Sequence, residues 1–487
     1  MTETACDLLI RGGTVYDGTG SPGTRADVAT RDGVIVAVGD TDGRAKRTID
    51  ARGMAVAPGF IDVHSHDDAA VLGGSMDFKL MQGVTTDIVG NCGAGVAPMG
   101  EMLMPGAELV LGSGVTPTWR SFGEYMEEID RSSLALNVGC LVPHGAVRFR
   151  RMGMDAREPT RGELAEMRAD VAEGMDAGAL GLSTGLIYPP GTFAKTREII
   201  ELARVAAAAG GIYASHIRNE ADGLLDAIAE AIAIGGAAGL PVQISHHKAS
   251  GQPNWGRTKD SIDLIQRRCD EGLDITFDVY PYVAASTILS AMARRPEAAD
   301  PDSVLVASVR EKREYEGKTI AQIAQMLDLP PADAVRRVLS EEPQAVAVFF
   351  VMAEPDVQRV LSHHLCMIGS DGIPSTTGKP HPRLYGTFAR VLGTYCRAER
   401  LFPLEEALRK MTSLPAMRFG LSDRGSISVG KAADIVVFDP QAIEDVATYE
   451  EPRKHPDGIR HVIVNGLIAV DGGRQTEVRA GALLRRA

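Results

Sequence analysis

The sequence lacks several features that mark whole classes of proteins. Its first residues carry no basic stretch followed by an apolar run, so we expect no secretory signal. Its apolar stretches are short and interrupted by charge or glycine, well below the roughly 20 residues that span a bilayer. Six cysteines scattered over 487 residues do not resemble a disulfide framework. These absences predict a protein of the reducing cytoplasm that does not act on membranes.

The chain also has no excess of basic side chains. It contains 51 Lys and Arg residues against 64 Asp and Glu residues, so its formal net charge is −13. Nucleic acids and anionic membranes attract clustered Lys and Arg. The charge therefore argues against either of them as the main partner. An anionic small molecule remains compatible, because a local basic cluster is enough to attract it.

The middle of the chain contains a repeated alternation of strand-like and helix-like segments. The strand-like runs are short and apolar, and they comprise residues 60–64, 84–89, 136–142, 179–182, 211–214, 242–244, 274–277 and 365–368. Helix-like stretches between them include residues 161–176, 196–209, 223–238 and 258–271. About eight repeats of this alternation predict an α/β fold with a parallel sheet, closed into a (β/α)8 TIM-like barrel.

The length exceeds that of one hydrophobic core, so we expect a second, smaller domain. Both ends of the chain have the pattern of short β-strands separated by Gly-rich turns. Residues 1–57 and 420–487 are therefore predicted to form one small β-sandwich domain, and residues 58–419 the barrel. The alternation breaks at 287–346, which is charged and helix-like with no clear buried strand. We interpret that segment as an insertion near the barrel mouth.

Residues able to bind a metal stand at the ends of several strand-like runs, where barrels of this kind carry their chemistry. His64 and His66 are two residues apart and so share one face of a strand. Further candidates near other strand ends are Cys92, His216, His246 and Asp371. Each alone has an ordinary explanation, such as a buried cysteine or a turn-forming aspartate. Together, a thiolate, imidazoles and a carboxylate suit Zn²⁺ better than Mg²⁺ or Ca²⁺.

Two segments resemble the amidohydrolase superfamily. Residues 57–66 (APGFIDVHSH) are similar to its first-strand signature, and residues 425–439 (GSISVGKAADIVVFD) to its closing β-sandwich segment. Within the superfamily, residues 90–93, 181–190 (GLSTGLIYPP), 215–222 (SHIRNEAD), 245–248 and 368–390 resemble D-aminoacylases and related N-acyl-D-amino acid deacylases. The resemblance implies zinc-dependent hydrolysis of N-acyl-D-amino acids to a carboxylate and a free D-amino acid. The expectation of D stereochemistry comes from the resemblance alone.

The resemblance also implies individual roles. Tightly bound zinc in the family corresponds to Cys92, His216 and His246, and a second, weaker metal position to His64, His66 and Asp371. Many relatives bridge two metals with a carboxylated lysine from the fourth strand, whereas residues 181–185 (GLSTG) contain no lysine. Cys92 is therefore expected to take that place. Asp371 is suited to take a proton from water and to pass it to the departing amine.

Cationic side chains are needed to bind the α-carboxylate of such a substrate. Lys248 lies two residues after His246 and shares its face, and Arg383 can hold a carboxylate through two parallel N–H bonds. The alternative for both is an ordinary solvated salt bridge. Tyr188 and Tyr282 match substrate-contacting tyrosines of the family, with core packing as the alternative.

The preferred substrate side chain depends on the insertion. Arg295, next to Arg294, would favour an acidic side chain, as in relatives that act on N-acyl-D-glutamate. The pair also fits a solvated helix face, and the nearby Met292 would suit a hydrophobic pocket instead. We predict a preference for acidic or mixed side chains.

Three other functions remain open at this level. The chain could catalyse another amidohydrolase reaction, such as cyclic-amide hydrolysis, dipeptide cleavage or deamination. Ring-opening relatives usually carry the bridging lysine, and deaminases usually carry a His-x-x-Glu pairing that differs from residues 216–220 (HIRNE). A non-catalytic scaffold would tend to lose metal ligands, whereas all six candidates are retained here. A hydrolase with Cys92 as nucleophile would survive chelation, unlike a zinc enzyme.

Overall fold

The barrel is built from eight parallel strands in chain order. The structure, a computed structural model, describes residues 6–41, 43–100, 115–292, 300–375 and 377–486, except for the side chains of 291 and 292. The barrel strands are Phe60–Asp62, Val84–Val89, Asn137–Pro143, Gly181–Gly185, Ile212–His216, Val242–Ile244, Ile275–Val279 and Cys366–Ile368. Each pairs in parallel with the next, and a bridge between Ser65 and Gly372 links the first to the last. The predicted barrel is confirmed.

Helices cover the outside of the barrel. They span Asp77–Leu80, Phe122–Arg131, His144–Met152, Arg161–Asp176, Thr196–Ala208, Leu224–Ala238, Thr258–Asp270, Glu354–Ser362, Arg383–Arg390, Leu404–Met411 and Ser413–Arg418, with a π-helical segment at Val391–Ala398. The four predicted helices are confirmed to within one residue at each end. Local chemistry fixes some of the starts: Thr160 accepts a hydrogen bond from the backbone of Glu163, whose side chain accepts from the Thr160 backbone in return.

Strands from both ends of the chain form one nine-stranded mixed sheet. They are Cys6–Val15, Thr24–Arg31, Val34–Gly39, Ala45–Asp50, Ala55–Pro58, Ile435–Phe438, Ile459–Val464, Leu467–Asp471 and Arg474–Gln475. Antiparallel pairing of Ala55–Pro58 with Ile435–Phe438 joins the two ends. The predicted union of the termini is confirmed. The boundaries at residues 57 and 420 stay a prediction, and Leu483–Leu484 returns to pair with the third barrel strand.

The insertion contains a sheet that the sequence pattern did not indicate. Strands Ala284–Ile288, Val304–Ser308 and Val346–Phe350 form a three-stranded antiparallel sheet. Helices Ile320–Leu327 and Pro331–Glu341 pack on it around a separate apolar core. The expectation that residues 287–346 lack a buried strand was wrong, because Val304 and Val306 alternate inward within a run of only five residues. The insertion lies near the barrel mouth, as predicted.

None of the helices in the described ranges has the length and apolar character needed to cross a bilayer.

Candidate metal centre

Two groups of candidate metal ligands lie side by side at the carboxyl ends of the barrel strands. One group consists of Cys92, His216 and His246, and the other of His64, His66, Cys92 and Asp371. Within each group all ligand atoms lie within 4.8 Å of one another, and every member is buried. Cys92 belongs to both groups. The structure thus brings together all six residues that the sequence analysis selected.

The Cys92 thiol stands between imidazoles from three strands. Its Sγ lies 3.2 Å from Nε2 of His64 and 3.5 Å from Nε2 of His246. Nε2 of His246 is in turn 2.8 Å from Nδ1 of His216. Lone pairs that converge in this way repel one another unless a proton or a cation lies among them. A thiolate with two imidazoles fits the ligand chemistry of zinc.

Three of the candidate ligands have unusual backbone angles. Cys92, His246 and Asp371 have positive φ angles of 55°, 36° and 49°. Such angles are uncommon for residues with a side chain and concentrate at functional sites. At the end of the fourth strand, a Cβ on Gly185 would lie 2.0 Å from the Cys92 carbonyl oxygen. The Cys92 backbone therefore fills the space where a side chain of the fourth strand would project.

The charges in the centre favour ionised Cys92 and Asp371 and a neutral His216, whereas they raise the pKa values of the other three imidazoles, those of His64, His66 and His246. Burial raises the pKa of Cys92, but the nearby His64 and His246 rings more than offset this, so the pKa lies well below its usual value. Burial and the proximity of His246 lower the pKa of His216, which leaves that ring neutral. The pKa of Asp371 is also well below its usual value, because Arg383 and the neighbouring imidazoles outweigh the opposing effect of burial.

Asp278, which the sequence analysis missed, supports both ligand groups. Its Oδ1 lies 3.1 Å from Nδ1 of His64 and accepts a 2.9 Å hydrogen bond from the backbone N–H of His246. Its Oδ2 accepts a 2.6 Å bond from Gln243. Carboxylates in this position orient metal-binding imidazoles. The available signal was an aspartate directly after the seventh apolar run, residues 274–277.

Glu220 is a second missed residue. Its Oε1 lies 2.5 Å from Nζ of Lys248, 3.0 Å from Nδ1 of His246 and 3.8 Å from Nε2 of His216. The pKa of Glu220 is lowered because Lys248 and the two imidazoles outweigh its burial. Its position four residues after His216 was visible in the sequence, but no pattern indicated that the chain turns back toward the centre.

Arg383 and Lys248 both lie over the ring of Tyr280, a third residue that the sequence analysis missed. The guanidinium carbon of Arg383 lies 4.5 Å from the ring centroid, and Nζ of Lys248 lies 5.6 Å from it. Nη1 of Arg383 is 2.8 Å from Oδ2 of Asp371. The hydroxyl of Tyr280 and Nε of Arg383 are buried and form no hydrogen bond with any residue the structure describes, whereas Nη1 is already paired with Asp371. Burial raises the pKa of Tyr280, so its hydroxyl stays a donor.

The two tyrosines chosen from the sequence have different surroundings. Tyr188 packs edge-on against His216, with ring centroids 4.9 Å apart, and its hydroxyl lies 3.1 Å from Oγ1 of Thr287 in the insertion. Tyr282 instead donates a 2.8 Å hydrogen bond to Asp445. Tyr188 thus borders the metal centre, whereas the hydroxyl of Tyr282 already has a buried partner. Substrate contact by either residue stays a prediction.

The residues predicted to select the substrate side chain cannot be placed. Arg294 and Arg295 lie outside the described residues, as does the side chain of Met292.

The different surroundings of Tyr280 and Tyr282 lead to opposite expectations for their phenylalanine variants. Tyr280→Phe removes the hydroxyl that we expect to donate to the α-carboxylate of the substrate. It should raise KM about 10-fold or more, because a hydrogen bond to a charged group contributes about 1.5–3 kcal/mol. Tyr282→Phe loses only the bond to Asp445 and should lower the thermal midpoint with little change in KM. Steady-state kinetics on both variants make the comparison. A larger KM effect for Tyr282→Phe would assign the substrate contact to that residue instead.

Comparison with known proteins matches almost the whole chain. Residues 47–470 match the amidohydrolase family. D-aminoacylase from Alcaligenes xylosoxydans xylosoxydans is 42% identical over 99% of this chain and 98% of its own length. N-acyl-D-glutamate deacylase from the same organism is 41% identical over 99% of this chain and 96% of its own length.

Two solved structures share the fold over the full length. N-acyl-D-glutamate deacylase from Bordetella bronchiseptica, in complex with zinc and a phosphonate that mimics the tetrahedral intermediate, is 40% identical, with a TM-score of 0.93. It covers 99% of this chain and 100% of its own. A D-aminoacylase structure is 41% identical, with a TM-score of 0.92. It concerns a binuclear metal centre in which one metal activates and a second attenuates. It has the same coverage.

Proposed function

Because the chain belongs to the amidohydrolase family, we propose that it is a zinc-dependent deacylase that hydrolyses N-acyl-D-amino acids to a carboxylate and a free D-amino acid. The observation that carries this proposal is that Cys92 belongs to both groups of candidate ligands. Its ligand atom lies within 4.8 Å of those of every other member, and Asp371 is one of them. The full-length relatives, which are named for deacylation of N-acyl-D-amino acids, support the choice of substrate.

The residues that would hold zinc are Cys92, His216 and His246. When bound, zinc supplies a Lewis acid that polarises the amide carbonyl and brings the pKa of water to about 7. The second group would hold a weaker metal, and it includes the carboxylate of Asp371. A single zinc bound by the first group would therefore leave the Asp371 carboxylate available for proton transfer. The D-aminoacylase in which one metal activates and a second attenuates supports this arrangement.

Asp371 is the proposed acid–base catalyst. Its Oδ1 lies 3.2 Å from Nε2 of His66, and its Oδ2 lies 2.8 Å from Arg383. The lowered pKa keeps the carboxylate ionised at neutral pH, so it can accept a proton from the attacking water. The same carboxyl group then donates that proton to the leaving amine.

A cationic pocket beside the metal centre would bind the α-carboxylate of the substrate. Arg383 offers a buried Nε–H without a hydrogen-bond partner among the described residues, and Tyr280 offers a hydroxyl in the same state. Lys248 adds positive charge over the Tyr280 ring, with Nζ 5.6 Å from the ring centroid. A carboxylate would satisfy these donors, which are costly to leave buried and unpaired.

For the substrate side chain, we propose a preference for acidic groups, with Arg295 as the proposed contact. The identities to D-aminoacylase and to N-acyl-D-glutamate deacylase, 42% and 41%, are too close to select between them. The alternative function, cyclic-amide hydrolysis or dipeptide cleavage, has less support, because the fourth strand supplies no bridging lysine.

A panel of N-acetyl-D- and N-acetyl-L-amino acids tests the proposal. We expect the zinc-loaded enzyme to hydrolyse D substrates, with higher kcat/KM for N-acetyl-D-glutamate than for N-acetyl-D-leucine, and the metal-free enzyme to be inactive. A strong preference for leucine would remove the role of Arg295 and leave the deacylase proposal intact. Activity that survives complete removal of zinc would contradict the metal mechanism and favour Cys92 as a nucleophile.

A further inference from the structure

His246 has two competing neighbours at the ring nitrogen that faces away from the metal groups. Its Nδ1 lies 3.0 Å from Oε1 of Glu220 and 2.8 Å from Nζ of Lys248. Its Nε2 faces Cys92 and His216. His246 and Lys248 are buried, and the side chain of Glu220 is only 13% exposed. Water is therefore a poor substitute for any of these partners.

The two neighbours demand opposite tautomers of the His246 ring. An ammonium group only donates hydrogen bonds, so pairing with Lys248 requires a lone pair on Nδ1 and places the proton on Nε2. An ionised carboxylate only accepts, so pairing with Glu220 requires the proton on Nδ1 and leaves the lone pair on Nε2. Only the second tautomer has a lone pair on Nε2 with which the ring can bind a metal ion.

Glu220 also controls the position of the competing ammonium group. Its Oε1 lies 2.5 Å from Nζ of Lys248, closer than the 2.8 Å between Nζ and Nδ1 of His246. One carboxylate oxygen therefore accepts from Lys248 and faces the ring nitrogen at once. Without the negative charge, Lys248 would keep Nδ1 as its nearest buried acceptor in this arrangement.

We propose that Glu220 is a positioning residue that maintains the metal-binding tautomer of His246 against competition from Lys248. The inference rests on the proposed zinc site and extends it: the metal affinity of this chain depends on a carboxylate that never touches the metal. Outer partners of this kind typically change metal affinity about 10- to 100-fold.

A double-mutant cycle of zinc affinities tests the proposal. The dissociation constant for zinc is measured by competition with a chromophoric chelator for the native enzyme, E220Q, K248M and E220Q/K248M. We expect E220Q to weaken zinc binding about 10- to 100-fold. K248M alone should change it little. In the double variant the side-chain amide oxygen introduced by E220Q can accept from Nδ1 without a competing donor, so affinity should return to within about twofold of K248M.

Each outcome bears directly on the proposal. If Glu220 acts only through its charge, K248M should tighten zinc binding equally in both backgrounds, and such additivity would overturn the tautomer argument. Native-like affinity in E220Q would also overturn it. Glu230→Gln is the matched control, because it removes a nearby carboxylate that pairs with Arg218 and not with a ligand. Its zinc affinity should stay native.

Loss of fold and loss of the proposed function need separate control measurements. Thermal midpoints of the metal-free variants identify any loss of fold. If E220Q does not fold, the double variant, which contains no uncompensated Lys248, must still match K248M in zinc affinity. A native enzyme that binds zinc but does not hydrolyse N-acetyl-D-amino acids would contradict the proposed function alone, because the affinity cycle does not depend on turnover.

Discussion

Replacing Asp371 with asparagine is expected to leave the zinc content unchanged and to lower kcat by about 10²- to 10⁴-fold, the usual contribution of a positioned acid–base group. Asparagine has nearly the same shape: its amide oxygen can accept from Arg383, while its amide nitrogen takes the position that faces His66. It cannot accept a proton from water at neutral pH. The lost rate would therefore measure proton transfer and not metal binding. The measurements are zinc content, kcat and KM on N-acetyl-D-glutamate.

Glu220 is another carboxylate close to the metal groups, with a side chain only 13% exposed, so E220Q serves as the comparison for D371N. Its Oε1 already accepts from Lys248 at 2.5 Å, so it is poorly placed to take a proton from water. Saturating zinc should restore turnover in E220Q and should not restore it in D371N. Near-native kcat in D371N would remove Asp371 from the acid–base role. Loss of zinc from D371N would instead indicate that the carboxylate is mainly a ligand.

The barrel could be predicted because its strands are short, apolar and buried on both faces, with amphipathic helices between them. Residues 161–176 illustrate this: the helix is marked at its start by Thr160 and Glu163 and is observed at the predicted bounds. The insertion could not be predicted in the same way. Val304–Ser308 is only five residues long, and it is stabilised by pairing with Val346–Phe350, about 40 residues later. Contacts between segments so distant leave no local signal.

For the metal centre, the sequence identified residue types at strand ends, and the structure supplied the contacts between them. Alternation predicted that His64 and His66 lie together, and they do, although the first strand already ends at Asp62. The same alternation fails after the seventh strand, where the chain turns. Tyr280 and Tyr282 follow the seventh strand two residues apart, yet one flanks Arg383 and the other binds Asp445. Side-chain direction in such turns depends on backbone angles that no short pattern determines.

Replacement of Cys92 with alanine is expected to abolish tight zinc binding and to lower kcat/KM by about 10³-fold or more, because a bound metal contributes several kcal/mol of transition-state stabilisation. The effect should exceed that of losing a histidine from either group alone, since the Cys92 thiolate is the one ligand atom that both groups share. Zinc content after dialysis, chelator competition and kcat/KM report the result.

Cys92→Asp separates a ligand from a nucleophile. Aspartate provides an anionic oxygen that binds zinc, and it tolerates the positive φ of 55° at this position better than most residues. We therefore expect Cys92→Asp to bind zinc more weakly than the native enzyme but more tightly than Cys92→Ala, with turnover that increases when zinc is added. If Cys92 were the nucleophile, both variants would keep native zinc affinity and neither would respond to added metal. That result would require the thiolate to attack the substrate directly.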